Sequence, residues 1–149
     1  MSNTEVRTHT ALHVLKGAVQ KVLGARWTSS TYVSGNHGRL AVRFERKATE
    51  EEMRMIEREA NNKVAEGAEV IEFEMDRAEA EGHFGDQIYD VFPVPANVTR
   101  LRIVRIPDWN INCCLERHTE STSQVGRIRV GRQRFRNSRK ELEIEFNVE

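Results

Sequence analysis

Apolar residues recur near the N-terminus with the period of a helix. Ala11, Leu12, Val14, Leu15, Ala18, Val19, Val22 and Leu23 share one broad arc of a helical wheel, the pattern of a helix laid on a core. His9 and His13 lie one turn apart outside that arc, beside Lys16 and Gln20, with Gly17 at the flank. Gly24-Ala25-Arg26-Trp27 ends the helix, and residues 28–44 read as two strands around the turn Ser34-Gly35-Asn36-His37-Gly38. A second helix opens at Thr49, where the hydroxyl and the Glu52 carboxylate are spaced to satisfy free backbone amides reciprocally. Met53, Ile56, Ala60 and Val64 form its apolar stripe, and Gly67 stops it.

The period then changes. Ile71, Phe73 and Met75 alternate with Glu72 and Glu74 as in a half-buried strand. Asp76 opens a short capped helix running through Glu81 and closed by Gly82-His83-Phe84-Gly85, which leaves His83 in a loop. Pro93-Val94-Pro95 makes a rigid connector into a strand from Arg100 to Ile106. Near the C-terminus Leu142, Ile144, Phe146 and Val148 alternate with Glu141, Glu143 and Glu145. In the preceding strand Ile128 and Val130 have one parity and Phe135 the other, which predicts a bulge near Gly131. Arg132, Arg134 and Arg136 then share a wet face with the three glutamates, as cross-strand ion pairs or as a nucleic-acid contact. Helices and strands interspersed in this way predict an α+β fold. A largely antiparallel sheet carries helices on one face, and residues 1–149 form a single domain.

Composition narrows the class. A chain of 149 residues is long enough to bury roughly two-thirds of its unfolded surface. It has no apolar run near the ~20 residues of a membrane span, so no membrane partner is expected, and the reading is a cytoplasmic protein. The net charge is zero but unevenly spread: residues 49–90 hold fourteen acidic side chains against four basic, and residues 100–149 eleven basic against seven acidic. A nucleic-acid partner must therefore use a local patch. Cys113 and Cys114 are adjacent, a poor arrangement for a structural disulfide and a better one for a metal ligand.

The chemistry lies in two short pieces. His9-Thr10-Ala11-Leu12-His13 offers two imidazoles one helical turn apart, and Cys113-Cys114-Leu115-Glu116-Arg117-His118 offers a thiol and a third imidazole. Zinc takes tetrahedral sets of Cys and His, so two such pieces complete one site, with one Zn2+ per chain. His37 and His83 fall in turns and stay outside it.

His9-x-x-x-His13 with Cys114-x-x-x-His118 resembles the zinc motif of the editing domain shared by alanyl- and threonyl-tRNA synthetases. The likeness extends to Leu40-Ala-Val-Arg-Phe44, to Ile56-Glu57 with Asn61, and to Thr122-x-x-Val125-Gly126. In length the chain is similar to the short stand-alone alanyl-tRNA editing proteins. The resemblance selects Cys114 rather than Cys113, giving His9, His13, Cys114 and His118 as metal ligands, with His9 and His13 also assigned to catalysis. It implies trans-editing: zinc-dependent hydrolysis of seryl-tRNA(Ala), and by extension glycyl-tRNA(Ala), at the aminoacylated acceptor end, with no nucleotide cofactor. Discriminating serine from alanine needs a placed polar group, because a site built to bind a hydroxyl rejects its absence strongly. Thr28 is the candidate, with Gly17 beside it in the substrate pocket. Lys16, Arg127, Arg129 and Arg132 are the candidate tRNA contacts. Where the alanyl family has Cys-Gly-Gly-Thr-His, this chain has Leu115, Glu116 and Arg117 between its ligands. Two other classes compete: a non-catalytic zinc-stabilised tRNA-binding module, and a zinc hydrolase of another acyl substrate. The latter is disfavoured by the lack of a His-Glu-x-x-His helix.

Overall fold

The computed structural model describes residues 2–149. Helix α1 (Asn3–Leu23) begins at a reciprocal cap, in which the Ser2 hydroxyl accepts from the Glu5 amide and the Glu5 carboxylate accepts from the Ser2 amide. It ends at Gly24, whose φ of 71° is the left-handed conformation that glycine adopts without penalty. Strands β1 (Thr28–Ser34) and β2 (His37–Arg43) form the expected hairpin. Helix α2 (Glu50–Glu66) carries the Thr49–Glu52 cap and stops at Gly67. Then follow β3 (Ile71–Asp76) and α3 (Arg77–Phe84), which runs a turn past the predicted end so that His83 is helical. After a 3₁₀ turn (Gly85–Ile88) come β4 (Arg100–Ile106), β5 (Asn110–Cys113), β6 (Ile128–Arg136) and β7 (Glu141–Val148).

The strands divide into two antiparallel sheets. The larger has the order β1-β2-β7-β6, joining the N-terminal and C-terminal hairpins through β2 and β7. One face of β7, Leu142 to Val148 at every second residue, is buried beneath α1 and α2. The other face holds Glu141, Glu143 and Glu145. Pairing of β6 with β7 slips between Val130 and Gln133, the predicted bulge, and sets Arg134 opposite Glu143 and Arg136 opposite Glu141. The smaller sheet has the order β3-β4-β5. Its strand β4 serves two cores: Leu101 and Ile103 pack with Ala80 and Ile88 of the α3 region, whereas Val104 and Ile106 join the main core. The α+β architecture stands, with the sheet divided in two.

Strand β5 carries no apolar alternation that would have announced it. It is a continuation of β4 through a tight turn, where Asp108 adopts a φ of 58° and the Trp109 amide donates to the Ile106 carbonyl. This turn puts β5 against the polar side of α1. Every residue of α1 from Thr10 to Val19 is therefore buried, His13 and Lys16 included. Among the described residues no helix is long and apolar enough to cross a membrane.

Candidate metal centre and its cleft

The ligand atoms of His13, Cys114 and His118 all lie within 4.8 Å of one another. Three different elements bring them there. α1 presents His13. The parity of β5, extended one residue, points Cys114 the same way as Asn112 and Asn110. The loop bearing His118 is clamped to α1 by the Thr119 amide, which donates to Thr10 Oγ1 at 2.8 Å. The same loop is held from the other side by Arg102, whose guanidinium donates to the carbonyls of Cys114 (3.0 Å) and Glu116 (2.6 Å).

Hydrogen bonds decide which imidazole nitrogen faces the cluster. His118 Nδ1 sits 3.3 Å from a Glu72 carboxylate oxygen, which only accepts, so Nδ1 carries the proton and Nε2 the lone pair. His13 Nδ1 likewise meets Asn110 Oδ1 at 3.0 Å, which turns its Nε2 inward. A carboxylate or amide oxygen behind a ligating imidazole is the usual support of a metal site. Both Nε2 atoms, and Nδ1 of His9, are buried without a hydrogen-bond partner. Buried polar nitrogens are rarely left so, and here an ion would satisfy them.

The electrostatics agree. Burial, with Lys16 and His118 adding to it, holds His13 well below the ordinary imidazole range, and burial also lowers His118 and His9. All three thus favour the neutral, ligating form. Burial pushes the Cys114 thiol up, and a cation among the three side chains would favour its thiolate. A set of two imidazoles and one thiol suits zinc.

The fourth expected ligand stands apart. His9 is on the same helix one turn before His13, but outside the mutual distance that unites the other three. Cys113 has the opposite parity to Cys114: it packs with the small-sheet core, and burial lifts its thiol to about 11. Strand alternation therefore sets Cys114, and not Cys113, in the cluster.

A cleft of about 620 Å³ opens between α1, β5 and the start of β1; none of His9, His13, Cys114 and His118 lines it, and it approaches the cluster through Asn110, on the Nδ1 edge of His13. Lys16, Asn110 and Asn112 line it, Asn110 reaching the candidate ligand His13, and Thr28 and Gly17 are also in its wall. Thr28 is 3% exposed, and its carbonyl accepts from the Val91 amide at 2.9 Å. Gly17 is required by Trp109: a methyl group there would overlap the indole, whose Nε1 donates to the Val14 carbonyl.

The predicted tRNA contacts are placed differently. Lys16 is not on the surface; its Nζ donates to Asn112 Oδ1 and lies 3.6 Å from Asp90, and burial lowers its ammonium against the pull of Asp90. Arg129 pairs with Glu149 at 2.6 Å and Arg132 with Glu145 at 3.0 Å, and neither these nor Arg127 line the cleft. The cleft's own cations are Lys21, Arg26, Lys63 and Arg105 besides Lys16. Reading the sequence missed Asn110, Asn112, Glu72 and Asp90, although Asn110-x-Asn112-x-Cys114 is a period-two signal.

No family model matches the chain. Its sequence is 38% identical over 133 residues to the alanine–tRNA ligase of Methanopyrus kandleri, covering 88% of this chain and 14% of that protein. It is 36% identical over 126 residues to the alanine–tRNA ligase of Saccharolobus islandicus and 37% identical over 126 residues to that of Pyrococcus abyssi. Each of these two matches covers 84% of this chain and 14% of the relative. The chain is a homologue of one segment of the alanine–tRNA ligases, and it spans about one-seventh of their length.

Proposed function

We propose that this chain is a trans-editing hydrolase that removes a wrongly attached amino acid from tRNA(Ala), with serine as the principal substrate and glycine as a second. The observation that carries the reading is the convergence of two inward-facing imidazole lone pairs and the Cys114 thiol, in a homologue of an alanine–tRNA ligase segment.

His13, Cys114 and His118 hold one zinc ion, and His9 completes the set as the ligand least fixed by its surroundings. When bound, zinc supplies polarisation of the ester carbonyl and a grip on the aminoacyl group, given a coordination position beyond the protein ligands. The chain's own residues do the rest. Glu72 and Asn110 keep the two imidazoles in the ligating tautomer. Trp109 and Gly17 shape the wall of the cleft, and its basic rim receives the acceptor-end phosphates, so binding weakens steeply with salt. Thr28 offers its hydroxyl to the serine side chain; Thr28→Val is expected to erase the preference for seryl- over alanyl-tRNA while leaving zinc content intact.

Incubation of the protein with seryl-, glycyl- and alanyl-tRNA, with and without a chelator, tests the reading. Metal-dependent release of serine and glycine but not alanine supports it. Chelation that unfolds a protein releasing no amino acid from any of the three points instead to a zinc-stabilised binding module.

A further inference from the structure

Lys16 follows His13 by three positions on α1, and only 8% of its side chain is exposed. A buried ammonium loses its hydration and is tolerated only when paired. Here it donates to Asn112 Oδ1 and lies 3.6 Å from Asp90 Oδ1. Asn112, itself 4% exposed, spends its amide hydrogens on the Ile88 carbonyl at 3.1 Å and on Asp90 at 3.2 Å. Helix, strand and loop thus each commit a polar side chain to one point in the cleft wall. None of the three side chains caps the helix or pairs a strand, and an apolar residue at position 16 would complete the burial at lower cost. Asn112 also lies between Asn110, which orients His13, and Cys114 on one face of β5, so Lys16 is anchored to the strand that carries both the support of one candidate ligand and another candidate ligand. Two partners leave an ammonium one further N–H to offer the cleft it lines.

We propose that Lys16 is a catalytic residue, whose ammonium donates a hydrogen bond to the carbonyl oxygen of the aminoacyl ester as negative charge builds there. This rests on the editing-hydrolase reading. Water adds to the carbonyl carbon and the C=O pair moves onto oxygen. Collapse then breaks the bond to the ribose oxygen, giving the free amino-acid carboxylate, the tRNA hydroxyl and one proton lost to solvent. Lys16 neither gives nor takes a proton; it acts through a fixed charge held in place before the substrate arrives. Asn112 and Asp90 are positioning residues that prevent the flexible side chain from leaving that spot.

The test is steady-state deacylation of seryl-tRNA by the zinc-loaded full chain and its Lys16→Met variant, with zinc content and thermal melting measured alongside. The expected result is a fall in kcat of about 100-fold or more, with KM changed by less than about threefold and zinc retained. A variant that keeps kcat within about threefold, one whose loss falls on KM, or one that loses zinc overturns the role of Lys16. Should Lys16→Met fail to fold, Asp90→Asn decides the matter, since Asp90 sits on a loop with about a third of its side chain exposed. It is expected to lower kcat about tenfold at unchanged KM, and an unaltered kcat overturns the proposal. A wild-type chain that releases no serine refutes the editing reading itself, whatever the variants do.

Discussion

Two regions of this molecule concentrate polar side chains, and they differ in what those side chains lack. On the outer face of the larger sheet Arg132 pairs with Glu145 at 3.0 Å and Arg134 stands opposite Glu143 in register, while Arg136 Nε, buried and without a hydrogen bond, still has the Glu143 carboxylate 3.4 Å away. Arg132 is 86% exposed, so water covers what its partner does not. At the seam between α1 and β5, by contrast, His13, Lys16, Asn112 and His118 are buried, and the imidazole nitrogens that converge there have no hydrogen-bond partner. Charge that is exposed and matched from the neighbouring strand sustains itself. Several polar atoms taken out of water, left unmatched and converging on one thiol point to a ligand. The comb looks more like a binding surface in the sequence, and the seam is the better candidate in the fold.

Substitutions sharpen this contrast. The largest effect is expected at the seam: His13→Ala or Cys114→Ala abolishes zinc retention and seryl-tRNA deacylation, whereas Cys113→Ala keeps both, as read by metal analysis and serine release. Next comes the support behind the ligands. Glu72→Gln, which removes the carboxylate behind His118 Nδ1, is expected to weaken zinc affinity by about 10–100-fold in a metal-competition titration.

A smaller effect appears in pH. Burial holds His9, His13 and His118 below the ordinary imidazole value of 6.5. In the metal-free protein the unfolded chain therefore binds more protons than the folded one just below that pH. Stability is fully present above about 6.5 and is lost as pH falls through the interval beneath it. Melting of chelated protein between about pH 7 and pH 5 should show this decline, and His13→Gln should flatten it. The smallest effect belongs to the comb. Arg132→Ala with Arg136→Ala is expected to cost less than about 1 kcal/mol per pair in chemical denaturation and to leave deacylation unchanged. A large loss of activity there would break the contrast.

Much of the frame was legible because it obeys simple periods. The arc of α1, the alternation of β7, the Thr49–Glu52 cap and the bulge near Gly131 each follow from local spacing. The pieces that carry His13, Cys114 and His118 were also visible, since His-x-x-x-His and Cys-x-x-x-His are local as well, but His9 stands outside the cluster they form. What stayed hidden was the partner of the polar side of α1. Read alone, Lys16 beside His13 looks like a solvated cation, and only the tight turn at Asp108 that folds β5 back against the helix makes it buried. Glu72 read as the wet side of a half-buried strand, yet it is the residue behind His118. Residues that act from behind a ligand carry no spacing signal of their own, because what they support arrives from a distant part of the chain.

On the proposed reading, ligands from α1 and the β5 end hold one zinc ion on which editing depends. The most direct test is deacylation of seryl-tRNA by metal-stripped protein titrated with zinc. Activity is expected to be absent at the start, to rise in proportion to added metal and to level off at about one ion per chain. Stripped protein that releases serine as fast as the reconstituted enzyme would contradict the account.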